Sequence, residues 1–151
     1  MSDGAPGARP PTPGHLDQAD AAARLDRQMA FLLEADRLKH VLRATTLVDG
    51  SRPENSGEHS WHLALYAMVL ADQAPEGVRI DRVMRMLILH DLVEIDAGDT
   101  PIHGDYDPFA QAAAEEAAAD RIFGLLPPDQ AAEFRALWAE FEAVQTLSLI
   151  H

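Results

Sequence analysis

Along most of this chain hydrophobic positions recur at helical spacing. Leu25, Met29, Leu32, Leu33 and Ala35 are separated by Asp26, Glu34, Asp36 and Arg37, which predicts an amphipathic helix continuing towards Arg43. Asp49-Gly50-Ser51-Arg52-Pro53 interrupts it with turn chemistry. Ser56 is placed to cap a second helix through Trp61, Leu63, Leu65, Tyr66, Met68, Val69 and Leu70, and Pro75-Glu76-Gly77 ends it. Asp81 is the expected cap of a third helix reaching Glu94 or Ile95. That helix is apolar nearly all round apart from Arg82 and Arg85, a pattern that predicts a central, buried element. From Asp96 to Pro108 turn residues dominate, so a loop is expected. Phe109 to Phe123 is Ala- and Glu-rich and helical by propensity, with Gly124 as its stop. Pro127 and Pro128 break the chain. Asp129 then starts a fifth helix whose apolar stripe is Phe134, Leu137, Trp138 and Phe141. No stretch alternates convincingly as a strand. The expected fold is therefore all-α, a bundle of about five to six helices.

The two ends differ from the middle. Residues 1–16 are Pro- and Gly-rich and read as a flexible tail, leaving a single domain over 17–151. Thr146-Leu147-Ser148-Leu149-Ile150-His151 is apolar and uncapped; either the chain stops before its fold does, or this terminus docks on the core. With 151 residues and 47% hydrophobic content the chain can bury one sizeable core. It has no cysteine, which leaves His, Asp, Glu and water as the only metal ligands. A formal charge of -13 argues against a nucleic-acid partner. With neither a signal-peptide pattern nor a membrane-length apolar run, a soluble cytoplasmic protein without a membrane partner is expected.

Against this background His90-Asp91 stands out, because it lies within the apolar run from Val83 to Val93. An ionised carboxylate inside hydrocarbon costs several kcal/mol unless it is paired, and a cation is the obvious partner. Thirty-odd residues earlier comes Glu58-His59. Glu94 follows Asp91 by three positions and His90 by four, so the three share a helical face, and Glu94 is placed to orient or deprotonate an attacking water. Asp99, after Ala97-Gly98, offers a second acid or a substrate anchor, and Thr100 adds a hydroxyl and a backbone donor. The competing interpretation is a core histidine beside an aspartate that caps the helix end.

Three ordered segments shift that balance: Arg52-Pro53-Glu54-Asn55-Ser56-Gly57-Glu58-His59-Ser60-Trp61-His62, Leu89-His90-Asp91-Leu92-Val93-Glu94 and Ile95-Asp96-Ala97-Gly98-Asp99-Thr100. Together they resemble the HD-domain metal-dependent phosphohydrolases, most of all the branch containing the 5′-deoxynucleotidases, over roughly Leu25 to Glu142. The resemblance implies one divalent metal ion (Mn, Co, Mg, Fe or Zn) on His59, His90 and Asp91. It makes Glu94 and Asp99 the acidic groups of catalysis, Arg43 the phosphate-binding residue, and Asp99 and Thr100 further substrate contacts. The implied substrate is a nucleoside 5′-monophosphate, with a 5′-deoxynucleotide the narrower form, and the implied assembly is a homodimer. Two departures stand out. Ala44 follows Arg43 where bacterial deoxynucleotidases carry a tryptophan, and no Asp follows Asp129 although the family's last metal ligand is an Asp on a later helix. The domain over 17–151 is thus expected to be incomplete at its C-terminus. The alternatives are a non-catalytic HD-domain interaction module, or a hydrolase of another phosphate ester such as an alarmone nucleotide.

The remaining histidines and tryptophans carry blander expectations. His62 fits a packing or supporting role, since Glu58-His59-Ser60-Trp61-His62 lacks the His-Glu-x-x-His order of a helical zinc site. His40 is expected at the surface or satisfied in the core, His103 lies in the loop beyond Asp99, and Trp61 and Trp138 are expected to pack in the core or an interface. Arg52 is suited either to a phosphate or to a salt bridge with Glu54 or Glu58.

Overall fold

The computed structural model describes residues 17–99 and 107–148, with side chains placed to residue 144. Helix α1 (Gln18–Ala35) runs into a 3-10 turn (Asp36–His40). A hairpin of β1 (Leu42–Thr46) and β2 (Pro53–Asn55) leads to α2 (Ser56–Val69) and a 3-10 turn (Ala71–Gln73). Next come α3 (Ile80–Leu89), a 3-10 turn (His90–Val93), α4 (Glu94–Ala97), α5 (Pro108–Phe123) and α6 (Pro128–Ser148). The all-α architecture expected from the sequence holds. Among the described residues no helix is long and apolar enough to cross a membrane. The tail, Thr100, His103 and His151 lie outside the described residues, as do the side chains on which the expectation of an uncovered C-terminus rests.

The hairpin is a correction, since no strand was expected. Its strands are antiparallel, with Leu42 opposite Asn55 and Thr46 opposite Pro53, and Gly50 turns the chain at φ 71°. Within β1 only Arg43 is partly buried, and on β2 Glu54 and Asn55 face inward. A strand whose inward positions are charged or polar leaves no apolar alternation to detect. The first helix is corrected too, for it stops at Ala35 rather than near Arg43. The tighter turn that follows buries Leu38, and Val41 is already extended.

Helix α1 also turns the other way from its apolar stripe. Phe31 is its one buried residue, while Leu25, Met29, Leu32 and Leu33 are exposed. Its polar side makes the long-range bonds: Arg24 holds Asp129 at 2.7 and 2.9 Å and Gln28 donates to Gln130 at 2.8 Å. Arg27 donates to the Gly124 and Leu126 carbonyls at 2.9 and 3.2 Å, beyond the end of α5.

The core lies between α5, α6 and the α3 segment. Ala118, Ala119, Ile122 and Phe123 meet Leu137 and Trp138, with Met86, Leu89, Leu92 and Val93 beneath. Phe31 reaches in from α1, its ring 6.4 Å from Phe123 and edge-on to Phe134 at 6.0 Å. Asp107 caps α5 by accepting the Phe109 N–H at 2.9 Å. Gly124 ends it as expected: a Cβ there would sit 2.5 Å from the Asp120 carbonyl oxygen.

Helix α3 is less buried than its composition predicts. Only Met86 and Leu89 are buried and Ile88 is 52% exposed, while Arg82 and Arg85 pair outward with Glu140 and Glu133 of α6. Asp81 is not its cap; it lies inside the helix and pairs with Arg79 at 2.7 Å. Trp138 fills the core as expected. Trp61, by contrast, is 63% exposed and outside the core.

Candidate metal centre

Two elements deliver the imidazoles. At the start of α2, Asn55 and not Ser56 is the cap. Its side chain accepts the Glu58 N–H at 2.9 Å while the Glu58 carboxylate accepts the Asn55 N–H at 3.0 Å. This reciprocal pair fixes the first turn, leaves Ser56 fully buried as the first helical residue, and sends His59 inward one turn on. Arg52 takes the salt-bridge role, gripping Glu58 at 2.7 and 2.9 Å. The second imidazole sits where α3 tightens into the 3-10 turn. His90 Nδ1 lies 2.6 Å from the Leu87 carbonyl oxygen. A carbonyl only accepts, so Nδ1 carries a proton; Nε2 faces the site 2.9 Å from Asp91 Oδ1, where without a metal it donates a proton of its own to that carboxylate.

His59 and His90 have ring centroids 5.9 Å apart, and Phe141 of α6 covers His90 at 4.7 Å. One ligand atom from each of His59, His90 and Asp91 falls within 4.8 Å of the others. Two imidazole nitrogens and a carboxylate oxygen suit a divalent ion, and ligands at about 2.0–2.2 Å from an ion stand roughly 3–4 Å apart, so modest closure completes the fit.

A second tier surrounds this group. Arg43 enters from β1, with Nη1 at 3.3 Å from Asp91 Oδ2, 3.6 Å from Glu94 Oε1 and 3.7 Å from Asp99 Oδ1. Ser60 donates to Asp91 Oδ2 at 3.4 Å, and the Ser56 hydroxyl donates to Glu94. Gly98 adopts φ 76°, a conformation costly for any residue with a side chain, and this turn carries Asp99 beside Arg43. His62 lies outside the ligand group, its ring between Trp61 at 5.7 Å and Tyr66 at 4.7 Å, and His40 is exposed.

The electrostatics separate two carboxylates on neighbouring turns. Burial pushes Asp91 up, but the His90 hydrogen bond, with Arg43 and His59, outweighs it and holds Asp91 below the usual carboxylate range. Glu94 goes the other way. Burial, and then the charges of Asp91 and Asp99, push it up to about 7, against the Ser56 hydroxyl and Arg43. His59 is lowered by burial and by Arg43, which favours the neutral imidazole a metal requires. For His90 burial works downward, yet the Asp91 carboxylate and the Leu87 carbonyl prevail and raise it.

Residues 35–148 match the family model described as "HD domain". The chain belongs to the HD-domain family. The HD domain here is 31% identical over 115 residues to the human protein named 5′-deoxynucleotidase HDDC2, and 30% identical to the mouse protein of that name. The human alignment takes in 76% of this chain and 55% of the relative, so the chain spans a little over half the length of the curated relatives it matches. Among solved structures, one titled as a predicted metal-dependent phosphohydrolase from Magnetospirillum magnetotacticum MS-1 superposes with a TM-score of 0.75 at 57% identity, covering 80% of this chain and 61% of that one. A conserved hypothetical protein from Pyrococcus furiosus, at 23% identity and TM-score 0.56, covers 77% of this chain and 64% of its own and shares the fold.

Of the residues singled out in the sequence, the HD domain brings together Arg43, His59, His90, Asp91, Glu94 and Asp99; Thr100 falls outside the described residues. Glu54, Ser56, Ser60 and Phe141 join them without having been assigned a place. Glu54 and Ser56 carried a usable signal, because they sit between Arg52 and His59 in the segment that bears the resemblance. Phe141 carried none beyond its helical stripe.

Proposed function

We propose that this HD domain is a metal-dependent phosphohydrolase that removes the phosphate from nucleoside 5′-monophosphates, with 5′-deoxynucleotides as the narrower substrate class. The observation that carries the proposal is the convergence of His59, His90 and Asp91 within 4.8 Å, directly beside Arg43 and Glu94. In this reading those three residues hold one divalent ion, which when bound would polarise a phosphoryl oxygen and make water more acidic. Arg43 moves its guanidinium from the carboxylates to the phosphate oxygens and neutralises their charge. Glu94, pushed up to about 7, takes the proton of the attacking water at its carboxylate. As the water oxygen bonds to phosphorus, the bond to the nucleoside oxygen breaks and the leaving oxygen is protonated from solvent, balanced by the proton that Glu94 took up and then releases. In this reading Asp99 binds that end of the substrate, supported by its position 3.7 Å from Arg43, with Thr100 beside it in the sequence. A cytoplasmic setting and a homodimeric assembly belong to the same proposal.

The test combines elemental analysis with phosphate release from a panel of nucleoside monophosphates. Asp91→Ala should lose both metal and turnover, whereas Glu94→Ala should keep the metal and lose turnover by about 10²-fold or more. Full turnover in Asp91→Ala would overturn the proposal, and bound metal without any phosphate release in the parent chain would favour a non-catalytic HD module.

A further inference from the structure

Glu54 belongs neither to the ligand group nor to the residues assigned to substrate, yet a single one of its oxygens meets three partners. Oε1 accepts the Thr45 hydroxyl at 2.8 Å, lies 3.2 Å from His59 Nδ1 and lies 3.5 Å from Arg43 Nε. The side chain is only 15% exposed. Arg43 Nε is itself buried and makes no hydrogen bond among the described residues, so the Glu54 carboxylate is the charge that compensates it there.

The arrangement constrains His59 chemically. A carboxylate only accepts, so a proton on the ring nitrogen that faces it is stabilised there, which leaves the lone pair of the other nitrogen for a metal. At His90 the Leu87 carbonyl stands against Nδ1 at 2.6 Å, while Nε2 faces the Asp91 carboxylate at 2.9 Å. Both imidazoles therefore have an acceptor against Nδ1. One comes from the helix that carries the histidine, the other from the hairpin.

We infer that Glu54 is a positioning residue that fixes His59 in its Nδ1–H form and ties it to Arg43, so that the hairpin sets both the metal ligand and the phosphate-binding arginine. The inference rests on the metal-centre reading above. The hairpin follows from it: β1 and β2 have inward positions occupied by Arg43 and Glu54, and the pairing of the strands holds these two at the distance that lets one oxygen serve both.

The experiment uses the whole 15N-labelled chain. Long-range 1H–15N spectra of the chelator-treated protein report which His59 nitrogen carries the proton, and a Mn2+ titration by calorimetry reports affinity. Wild type should show His59 protonated at Nδ1. Glu54→Ala should move the proton towards Nε2 or mix the two forms, and should raise the Mn2+ dissociation constant by about 10–100-fold. Glu54→Gln keeps the bulk of the side chain and an acceptor oxygen, so it guards against misfolding: it should retain the Nδ1–H form of His59 while its lost charge weakens Mn2+ binding by about tenfold. Unchanged His59 nitrogens in a folded Glu54→Ala chain, or loss of the Nδ1–H form in Glu54→Gln, overturn the inference. If the wild-type chain takes up no Mn2+, the metal-centre reading fails by itself, and the His59 tautomer in the metal-free chain still decides for or against Glu54.

Discussion

The 3-10 turn His90–Val93 divides the molecule into two layers built on opposite rules. Leu92 and Val93 point into the layer of Ala119, Ile122, Phe123, Leu137 and Trp138, where stability comes from filled volume. Asp91, in the same turn and 6% exposed, points into the layer of Arg43, Ser60, His59 and Glu94. There each group depends on a named partner, because a buried polar group without one costs more than its bond is worth. In the first layer substitution acts through lost contacts and is indifferent to pH. In the second it acts through charge, so pH and metal decide its sign.

Phe123→Ala should produce the largest change. The ring is 1% exposed, stacks at 6.4 Å on Phe31 and sits where α5 meets α6. Its removal should cost about 3–5 kcal/mol in denaturant unfolding, equally at acid and neutral pH. A cost that varied strongly with pH would blur the division between the layers.

Glu94→Gln should come next, and its effect on stability should be visible only through pH. The ordinary carboxyl value is 4.5 and the folded value about 7, so between them the folded chain binds more protons than the unfolded one. The contribution of Glu94 to stability is therefore fully present below 4.5 and is lost as pH rises through about 7. In the metal-free chain Glu94→Gln should remove this loss and stabilise the protein at about pH 8 by on the order of 2 kcal/mol, while abolishing turnover. Asp91 runs in the opposite direction: held below its ordinary range, it contributes above that range and loses its contribution on acidification. Denaturant midpoints of the metal-free parent that stayed level from about pH 5 to about pH 8, like those of the Gln variant, would break this account of Glu94.

How much of each layer was legible in the sequence follows from the same contrast. Propensity and the Gly124 stop found α5 almost to the residue, and periodicity found α6 and its start, because Leu137 and Trp138 are apolar and buried for the same reason. It found α1 as a helix but not its inward face, where Arg24, Arg27 and Gln28 make the long-range bonds and the leucines face out. It failed on the hairpin as well, since Arg43 and Glu54 occupy the inward positions that hydrophobic residues would have marked. Motif resemblance named Arg43, His59, His90, Asp91, Glu94 and Asp99 without any geometry, and the structure brings these six side chains together. It named no site role for Glu54 or Ser60, although both lie in the resembling segment, because spacing along the chain does not show the Glu54 contacts to Arg43 and Thr45 across the hairpin or the Ser60 bond to Asp91.

The smallest expected effect separates the layers most cleanly. Asn55→Ala and Asp107→Ala each remove one helix cap, from α2 and α5 respectively, and each should cost about 1 kcal/mol of stability. The two losses should part company at the metal. The Asn55 cap fixes the turn that aims His59 and neighbours Glu54 in the chain, so its removal frees the imidazole to wander and should weaken Mn2+ binding several-fold in calorimetry. Asp107 caps a helix whose buried residues are Ala118, Ala119, Ile122 and Phe123, all of them in the apolar layer, and its loss should leave Mn2+ affinity unchanged. Equal weakening in both variants would mean that the centre responds to overall stability and not to the local geometry of α2.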